Sequence, residues 1–446
     1  MKMREFACML FCLAFLLSCS NEGSNENSPS GELPLSLLKI SNRIGVEEAY
    51  RDYVEGARAF LDEQTPSKSR SSRAVNSVSV LLFDDVKTSA MKSDKYKEYK
   101  DLGISDTLAY VFNFGDSSGF VIVSNDKRVK TPLFAFTEKG TLLNGKTDNP
   151  GFALFLERLE GYVLNSIAES GKDDEKKESM VVAQSGPIHP IDFIGARPIV
   201  DPLLSVEWGQ GGPFNNNLEY QNCYGDSTAN NGLVATGCVP TAIAQIMSYW
   251  KYPDSLNGTT SYSWSNLNTF KRSNNFYASP SDNVFIRMRK ASARAQVADL
   301  FQQIGATGTG VGTIYGCVAS NTVPENAITF LISKGFTLYS NPYGAKLRTY
   351  DNEFVKMALQ DYGPLYTVGT DPKRGGHAWI IDGMVYVYAP VPPPYPSEIY
   401  YVHNNWGWDG YQNGYYLGIV YDPNESLTFD PSFYNFKNIK VSLVYR

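Results

Sequence analysis

Apolar positions along the chain recur in two rhythms, every second residue and every third or fourth, which predict strands and helices respectively. "VEEAYRDYVEGARAFL", from Val46, predicts a helix. "SVSVLLFDD", "LAYVFNF" and "GFVIVS" predict short strands, rich in Val, Phe and Ile and bounded by turn residues. In "NPGFALFLERLEGYVLNSI", Phe152, Phe155, Leu156, Leu159 and Val163 share one helical face. Asn149 stands as its N-cap and Pro150 at the first helical position. These elements form a small α+β unit, which "ESGKDDEKKESM" ends by breaking the pattern with charge.

A larger second unit follows. In "ATGCVPTAIAQIMSYW", Val239, Ala242, Ile243, Ile246, Met247 and Trp250 recur at helical spacing. Pro240 is tolerated only in a first turn, so Cys238 sits at a helix N-terminus. "ASARAQVADLFQQIG" and "VPENAITFLISKG" predict two more helices, and the last part alternates like strands.

Composition narrows the classes. With 43% apolar and 13% aromatic residues over 446 positions, the chain is globular and long enough for two or three domains. Acidic residues outnumber basic ones, 46 to 40, with no basic stripe, which argues against a nucleic-acid partner.

The N-terminus reads as an export signal: Lys2 and Arg4, then "ACMLFCLAFLLSC", too short for a permanent membrane span. "LLSC", ending at Cys19, resembles the lipobox of bacterial lipoproteins, in which the cysteine carries the lipid; ordinary signal cleavage nearby is the alternative. Of six cysteines, only Cys223, Cys238 and Cys317 remain in the body. An odd number in an exported chain leaves at least one free thiol. A Cys223–Cys317 bridge is compatible with the sequence and is not derivable from it.

Two motifs are decoys. "GTLLNGKT", Gly140 to Thr147, has P-loop spacing, but Asp148, Asn149 and Pro150 delay the helix that a P-loop needs at its Lys and Thr. "GDSSG", Gly115 to Gly119, lies between two strands as a hairpin turn, with no histidine upstream of it.

Cys238 carries the chemistry. A helix N-terminus favours a thiolate, so its pKa is expected below that of a free thiol. A thiolate nucleophile wants an imidazole. Of three histidines, His189 lies in "GPIHPID", His377 in "RGGHAWIIDG" and His403 in "YVHNNWGWDG". A hairpin from His377 to Asn405 would put these two on neighbouring strands, where the amide could orient the imidazole. Gln210, in "SVEWGQGGPFN", is a neutral donor ahead of the helix and, with the Cys238 N–H, could hold an oxyanion.

The blocks "PLLSVEWGQGGPFN", "ATGCVPTAIAQIMSYWKYP", "GGHAWIIDG" and "NNWGWDGYQNGYY" resemble the signatures of the streptopain family of papain-clan bacterial cysteine peptidases. The stretch 119–163 resembles that family's propeptide. The resemblance implies an α+β fold, with a papain-like catalytic domain behind a small α+β prodomain. It implies Cys238 as nucleophile, His377 as general base and acid, Gln210 as oxyanion donor and Asn405 as orienter of His377. Trp406 and Trp408 would wall the His–Asn bond from water. Pro240, the proline-rich tip in "YAPVPPPYPSEIY" and Cys317, in a segment that borders the cleft by resemblance, depart from the family pattern.

The expected organisation is a signal peptide with lipobox over 1–19, a tether over 20–45, a prodomain over 46–168, a linker with a processing site over 169–194, and a catalytic domain over 195–446. The expected function is an exported cysteine endopeptidase zymogen acting through a Cys238 thioester, with no metal or cofactor. Its expected partners are protein or peptide substrates and its own prodomain as inhibitor. Membrane attachment is expected only through lipid on Cys19, at the cell envelope, with release of the catalytic domain after processing. A transglutaminase-like acyl transferase and an inactive surface-binding protein on the same fold are the alternatives.

Overall fold

The computed structural model describes residues 42–64, 73–83, 103–177, 197–223, 232–317, 319–339, 345–371, 375–388, 398–422 and 439–446. Cys19, tether residues 20–41, His189, most of the proline-rich tip and linker residues 178–194 lie outside the described residues. The end of the expected tether packs on the N-terminal unit, with Ile44 buried and its N–H donating to the Asn125 carbonyl.

The N-terminal unit opens with helical segments Val46–Ala49, Tyr50–Val54 and Glu55–Gln64, together α1, whose middle is π-helical. Four strands follow: β1 (Val75–Leu82), β2 (Thr107–Phe114), β3 (Phe120–Ser124) and β4 (Leu133–Thr137). Helix α2 (Pro150–Lys177) closes the unit. Its backbone runs past residue 168 to Lys177, into the stretch expected to be linker; Glu and Lys have good helix propensity even where no apolar period marks a helix. "GDSSG" is the β2–β3 turn, and the P-loop lookalike precedes α2, as expected.

The larger unit begins with β5 (Arg197–Val200), β6 (Tyr220–Cys223) and β7 (Gly232–Leu233). Helix α3 (Cys238–Trp250) follows, then α4 (Val284–Gly305) and α5 (Pro324–Ser333). Helix α4 starts seven residues earlier than its periodicity shows, since Val284, Phe285 and Met288 are exposed and Asn283 caps the Ile286 N–H. Next come β8 (Thr337–Leu338), β9 (Arg348–Thr349) and α6 (Asn352–Asp361). The remaining strands are β10 (Leu365–Asp371), β11 (Gly375–Tyr388), β12 (Glu398–Asn405), β13 (Gly414–Leu417), β14 (Lys440–Ser442) and β15 (Val444–Tyr445).

One sheet runs through both units in the order β1-β2-β3-β4-β13-β12-β11-β10-β14-β9, with β5 also on β11. The junction is antiparallel β4 on β13, pairing Phe136 with Tyr415 and Ala135 with Tyr416. Side chains of a strand alternate between faces. Trp379 and Ile381 of β11 therefore enter the core beneath the N-terminal unit's helices. Ala378 and Ile380 enter a second core with α3, α4 and α5. The first core joins the units through Phe60, Phe136, Phe152 and Phe155 against Tyr415, Tyr416 and Tyr421.

Candidate active site

Cys238 opens α3, with Gly237 as its cap at φ +89°. Helix α3 packs on β11, whose Ala378 N–H lies near the sulfur together with the amides of Cys238 and Val239. All three favour the thiolate. Desolvation outweighs them and pushes the thiol up, the reverse of the direction expected from the helix terminus alone. The terminus is present as expected; the packing over the sulfur reverses its effect.

Gln210 lies on the other side of the segment before the nucleophile. Its carbonyl accepts a hydrogen bond from Thr236 N–H at 3.0 Å, and its side chain is partly exposed. The loop carrying it is anchored by Trp208, whose indole N–H donates to the Phe270 carbonyl, and by buried Glu207 paired with Lys271 and Arg272.

His377 and Asn405 stand on neighbouring antiparallel strands, as the hairpin requires, with Asn405 opposite Ile380. They do not engage each other. His377 Nε2 is 2.8 Å from the Trp406 carbonyl oxygen. The Asn405 amide donates to the Val206 carbonyl, and its Oδ1 accepts from Gly407 N–H. His377 has the same parity as Trp379, and the two rings stack at 6.1 Å with planes 12° apart. The imidazole therefore lies on the face toward α2, opposite the α3 face of β11. Burial pulls its pKa down to about 4, against the Trp406 carbonyl, which raises it. Such a ring is neutral at pH 7. Trp406 is fully buried against Trp379 and Tyr416, and Trp408 is partly buried against the same core.

The first turn of α2 occupies the histidine's surroundings. Asn149 Oδ1 caps the helix by accepting from the Gly151 and Phe152 N–H groups. A Cβ on Gly151 would come within 2.6 Å of the His377 ring and 2.5 Å of the Trp406 ring. Only a glycine allows this approach. The sequence reading missed Gly151, although a glycine in a helix start, where Ala is favoured, is itself a sign of close contact.

The N-terminal unit also grips the loop after Asn405. Gln412 N–H donates to Lys139 O, Lys139 Nζ to Asp409 O, and Thr147 Oγ1 to Gln412 Oε1. Arg158 of α2 donates to the Val420 and Tyr421 carbonyls.

His403, not selected from the sequence, holds a different position. Its Nδ1 is 2.6 Å from Asp382 Oδ1, and its Nε2 forms an ion pair at 3.5 Å with Glu138 of the N-terminal unit. Burial would lower the imidazolium, but the two carboxylates push it up to about 10. Burial would raise Glu138, and His403 instead draws it down to about 2. No sequence pattern marks this pair, because its members are brought together by the β4–β13 junction.

Residues 208–416 match the model of the Peptidase C10 family, and residues 50–163 match that of the Spi protease inhibitor. Streptopain of Streptococcus pyogenes is 26% identical over 339 residues, covering 72% of this chain and 76% of that protein. The thiol protease/hemagglutinin PrtT of Porphyromonas gingivalis is 24% identical over 348 residues, covering 72% of this chain and 35% of that protein. A solved fragment of Prevotella intermedia prointerpain A is 22% identical, with 76% of this chain and 96% of that chain covered and a TM-score of 0.45.

Proposed function

We propose that the chain is a papain-like cysteine peptidase of the Peptidase C10 family with an inhibitor-like propeptide domain ahead of it, and that it is an exported endopeptidase zymogen held inactive by turning its histidine away from its nucleophile. One observation carries this reading: His377 bonds to the Trp406 carbonyl with Gly151 of the propeptide domain against its ring. In this state the ring is neutral, on the far face of β11, and Cys238 is a thiol rather than a thiolate.

Activation then requires the first turn of α2 to leave. His377 can rotate about the start of β11, where Gly375, at φ +88°, and Gly376 give the backbone freedom. Once His377 meets Cys238, the imidazole takes the thiol proton and the pair becomes thiolate and imidazolium. The Cys238 sulfur attacks a peptide carbonyl, and the oxyanion is met by the Cys238 N–H and the Gln210 side chain. His377 passes its proton to the leaving amine. Water then adds to the thioester with His377 as base, releasing the acid and restoring the thiol. Asn405 would hold the rotated ring, exchanging its bond to the Val206 carbonyl for one to the imidazole.

The anchor and switch belong to the same proposal. Lipid on Cys19 would tether the uncut chain to the cell envelope, and a cut within 169–194 would leave the propeptide domain behind and release the enzyme. Covalent attachment gives the propeptide a high effective concentration, so cutting weakens inhibition even with the docking surface unchanged.

The test follows cutting, activity and membrane fractionation together. Cys238→Ala is expected to fold, stay uncut by itself and hydrolyse no peptide. Hydrolysis by that variant overturns the nucleophile, full activity in uncut protein overturns the inhibition, and activity that stays membrane-bound after cutting overturns the release.

A further inference from the structure

Cys223, at the end of β6, and Cys317, in the loop between α4 and α5, form a disulfide with Cα atoms 5.1 Å apart. Neither belongs to the catalytic set, yet the loop they tie down leans on the residues immediately before the nucleophile. Ala235 N–H donates to the Gly316 carbonyl at 3.2 Å. Ser320 Oγ donates to the Ala235 carbonyl at 2.6 Å and accepts from Gly316 N–H at 3.1 Å. A Cβ on Gly237 would lie 3.1 Å from the Ser320 Cβ, so the loop meets the residue that caps α3. From the opposite side, the Gln210 carbonyl holds Thr236 N–H. Residues 235–237 are thus clamped between the oxyanion loop and the disulfide-tied loop.

Besides the disulfide, the tied loop is held by its own hydrogen bonds, with Ile314 and Asn321 paired in both directions at 2.9 Å and Thr313 N–H donating to the Gly305 carbonyl at 2.9 Å, while apolar burial around the disulfide itself is small. Cys223 and Val234 form a small core of their own, with Leu218, Tyr315 and Cys317 against it, separate from the two main cores. Ile314 in the same loop is 73% exposed. A loop with so little apolar burial keeps its position through its hydrogen bonds and its covalent tie.

We propose that the Cys223–Cys317 disulfide is a positioning brace for the oxyanion side of the active site, so that turnover requires this pair oxidised while Cys238 is reduced. The inference rests on Cys238 being the nucleophile. Reduction by a dithiol gives each protein sulfur one electron and one proton, and the dithiol becomes its cyclic disulfide. Cys317 is partly exposed, which gives the reductant an approach. With the tie cut, Gly316 and Ser320 release Ala235, and the Cys238 N–H and Gln210 lose their common register. A displacement of about 1 Å in such a constellation costs up to roughly a hundredfold in rate.

The experiment uses full-length protein allowed to process itself, with both halves retained. Active sites are counted by alkylation of Cys238, and kcat and KM for a peptide are measured per labelled site across rising dithiothreitol. Activity is expected to rise as Cys238 is freed, then kcat per site to fall roughly tenfold as the second pair is reduced, with KM changing much less. Cys223→Ser/Cys317→Ser is expected to show the low kcat throughout and no second phase. Should that variant not fold, Ser320→Ala, which keeps the disulfide and removes its bond to Ala235, is expected to lower kcat several-fold, a size typical of one lost positioning contact. A merely structural disulfide would change melting temperature and the labelled fraction while leaving kcat per labelled site constant, and that result overturns the brace. Hydrolysis surviving in Cys238→Ala is a separate outcome, which removes the peptidase reading on which the brace rests.

Discussion

Two buried histidines stand on adjacent strands of one sheet, and their chemistry diverges. His377 and His403 are each 4% exposed. The first is pulled down to about 4 and the second pushed up to about 10. Burial disfavours the charged ring at both positions, so burial does not explain the difference. A single carbonyl faces His377, whereas Asp382 and Glu138 face His403. The N-terminal unit adds a contact to each: the Gly151 backbone crowds His377, and the Glu138 carboxylate adds to the charge that Asp382 already places beside His403. One histidine is kept neutral and the other charged; in the proposed zymogen the first contact would serve inhibition and the second attachment.

The comparison breaks first under substitution. His377→Ala should lower peptide hydrolysis by the processed protein by roughly a thousandfold or more, as loss of a catalytic base does. His403→Ala should leave kcat per active site within about threefold while loosening the propeptide, as loss of an ion pair outside the reaction does. Equal losses of kcat in the two variants would show that His403 shares the chemistry.

Gly151→Val probes the crowding. Overpacking of this kind costs about 1–3 kcal/mol, so the uninhibited fraction should rise roughly ten- to hundredfold. Initial rates taken before any cleavage check this, and a fully latent Gly151→Val would place the inhibitory contact elsewhere.

Acid should separate the two sites by sign. His377 has a docked pKa of about 4, below its ordinary value of about 6.5. Its release takes up a proton, so docking is unaffected above pH 6.5 and weakens as pH falls from 6.5 toward 4. His403 acts oppositely: Asp382 raises its pKa whether or not the N-terminal unit is docked, so only the part of the rise due to Glu138 is linked to docking, present at neutral pH and lost as pH rises toward 10. Glu138 contributes above its ordinary range near 4.5 and is lost as pH falls toward 2. Histidine NMR titrations of full-length Cys238→Ala should show midpoints near 4 and near 10. Two midpoints near 6.5 would erase the contrast.

The smallest effect is expected for Glu138→Gln. Its side chain is 26% exposed, so water shares the pair and the loss is partial. The His403 midpoint should fall, and separated propeptide should bind roughly two- to fivefold more weakly at pH 7. Unchanged binding would reduce Glu138 to a bystander.

Much of this site was legible before the fold. The helix after Cys238 announces itself by apolar spacing and by Pro240, and the β11–β12 hairpin by alternation around His377 and Asn405. Strand β4 was not anticipated, since "LFAFT" is apolar on both faces and lacks the alternation of a half-buried strand. That strand makes the junction with β13, so the continuous sheet was hidden with it. Helix α6 and the first turns of α4 were likewise unannounced.

By itself, the sequence determined what is written in local spacing and residue type: a thiol at a helix start, an imidazole and an amide on paired strands, an odd cysteine, and a propeptide-like α+β unit ahead. The tertiary structure alone decided which way His377 faces, that Cys223 meets Cys317, and that Glu138 reaches His403. It also decided that burial overrides the helix terminus at Cys238. The physical reason is range. Helix and strand preferences arise between residues a few positions apart, whereas desolvation and ion pairing depend on whatever the folded chain brings near, here from a domain more than two hundred positions away in the case of Gly151 and His377.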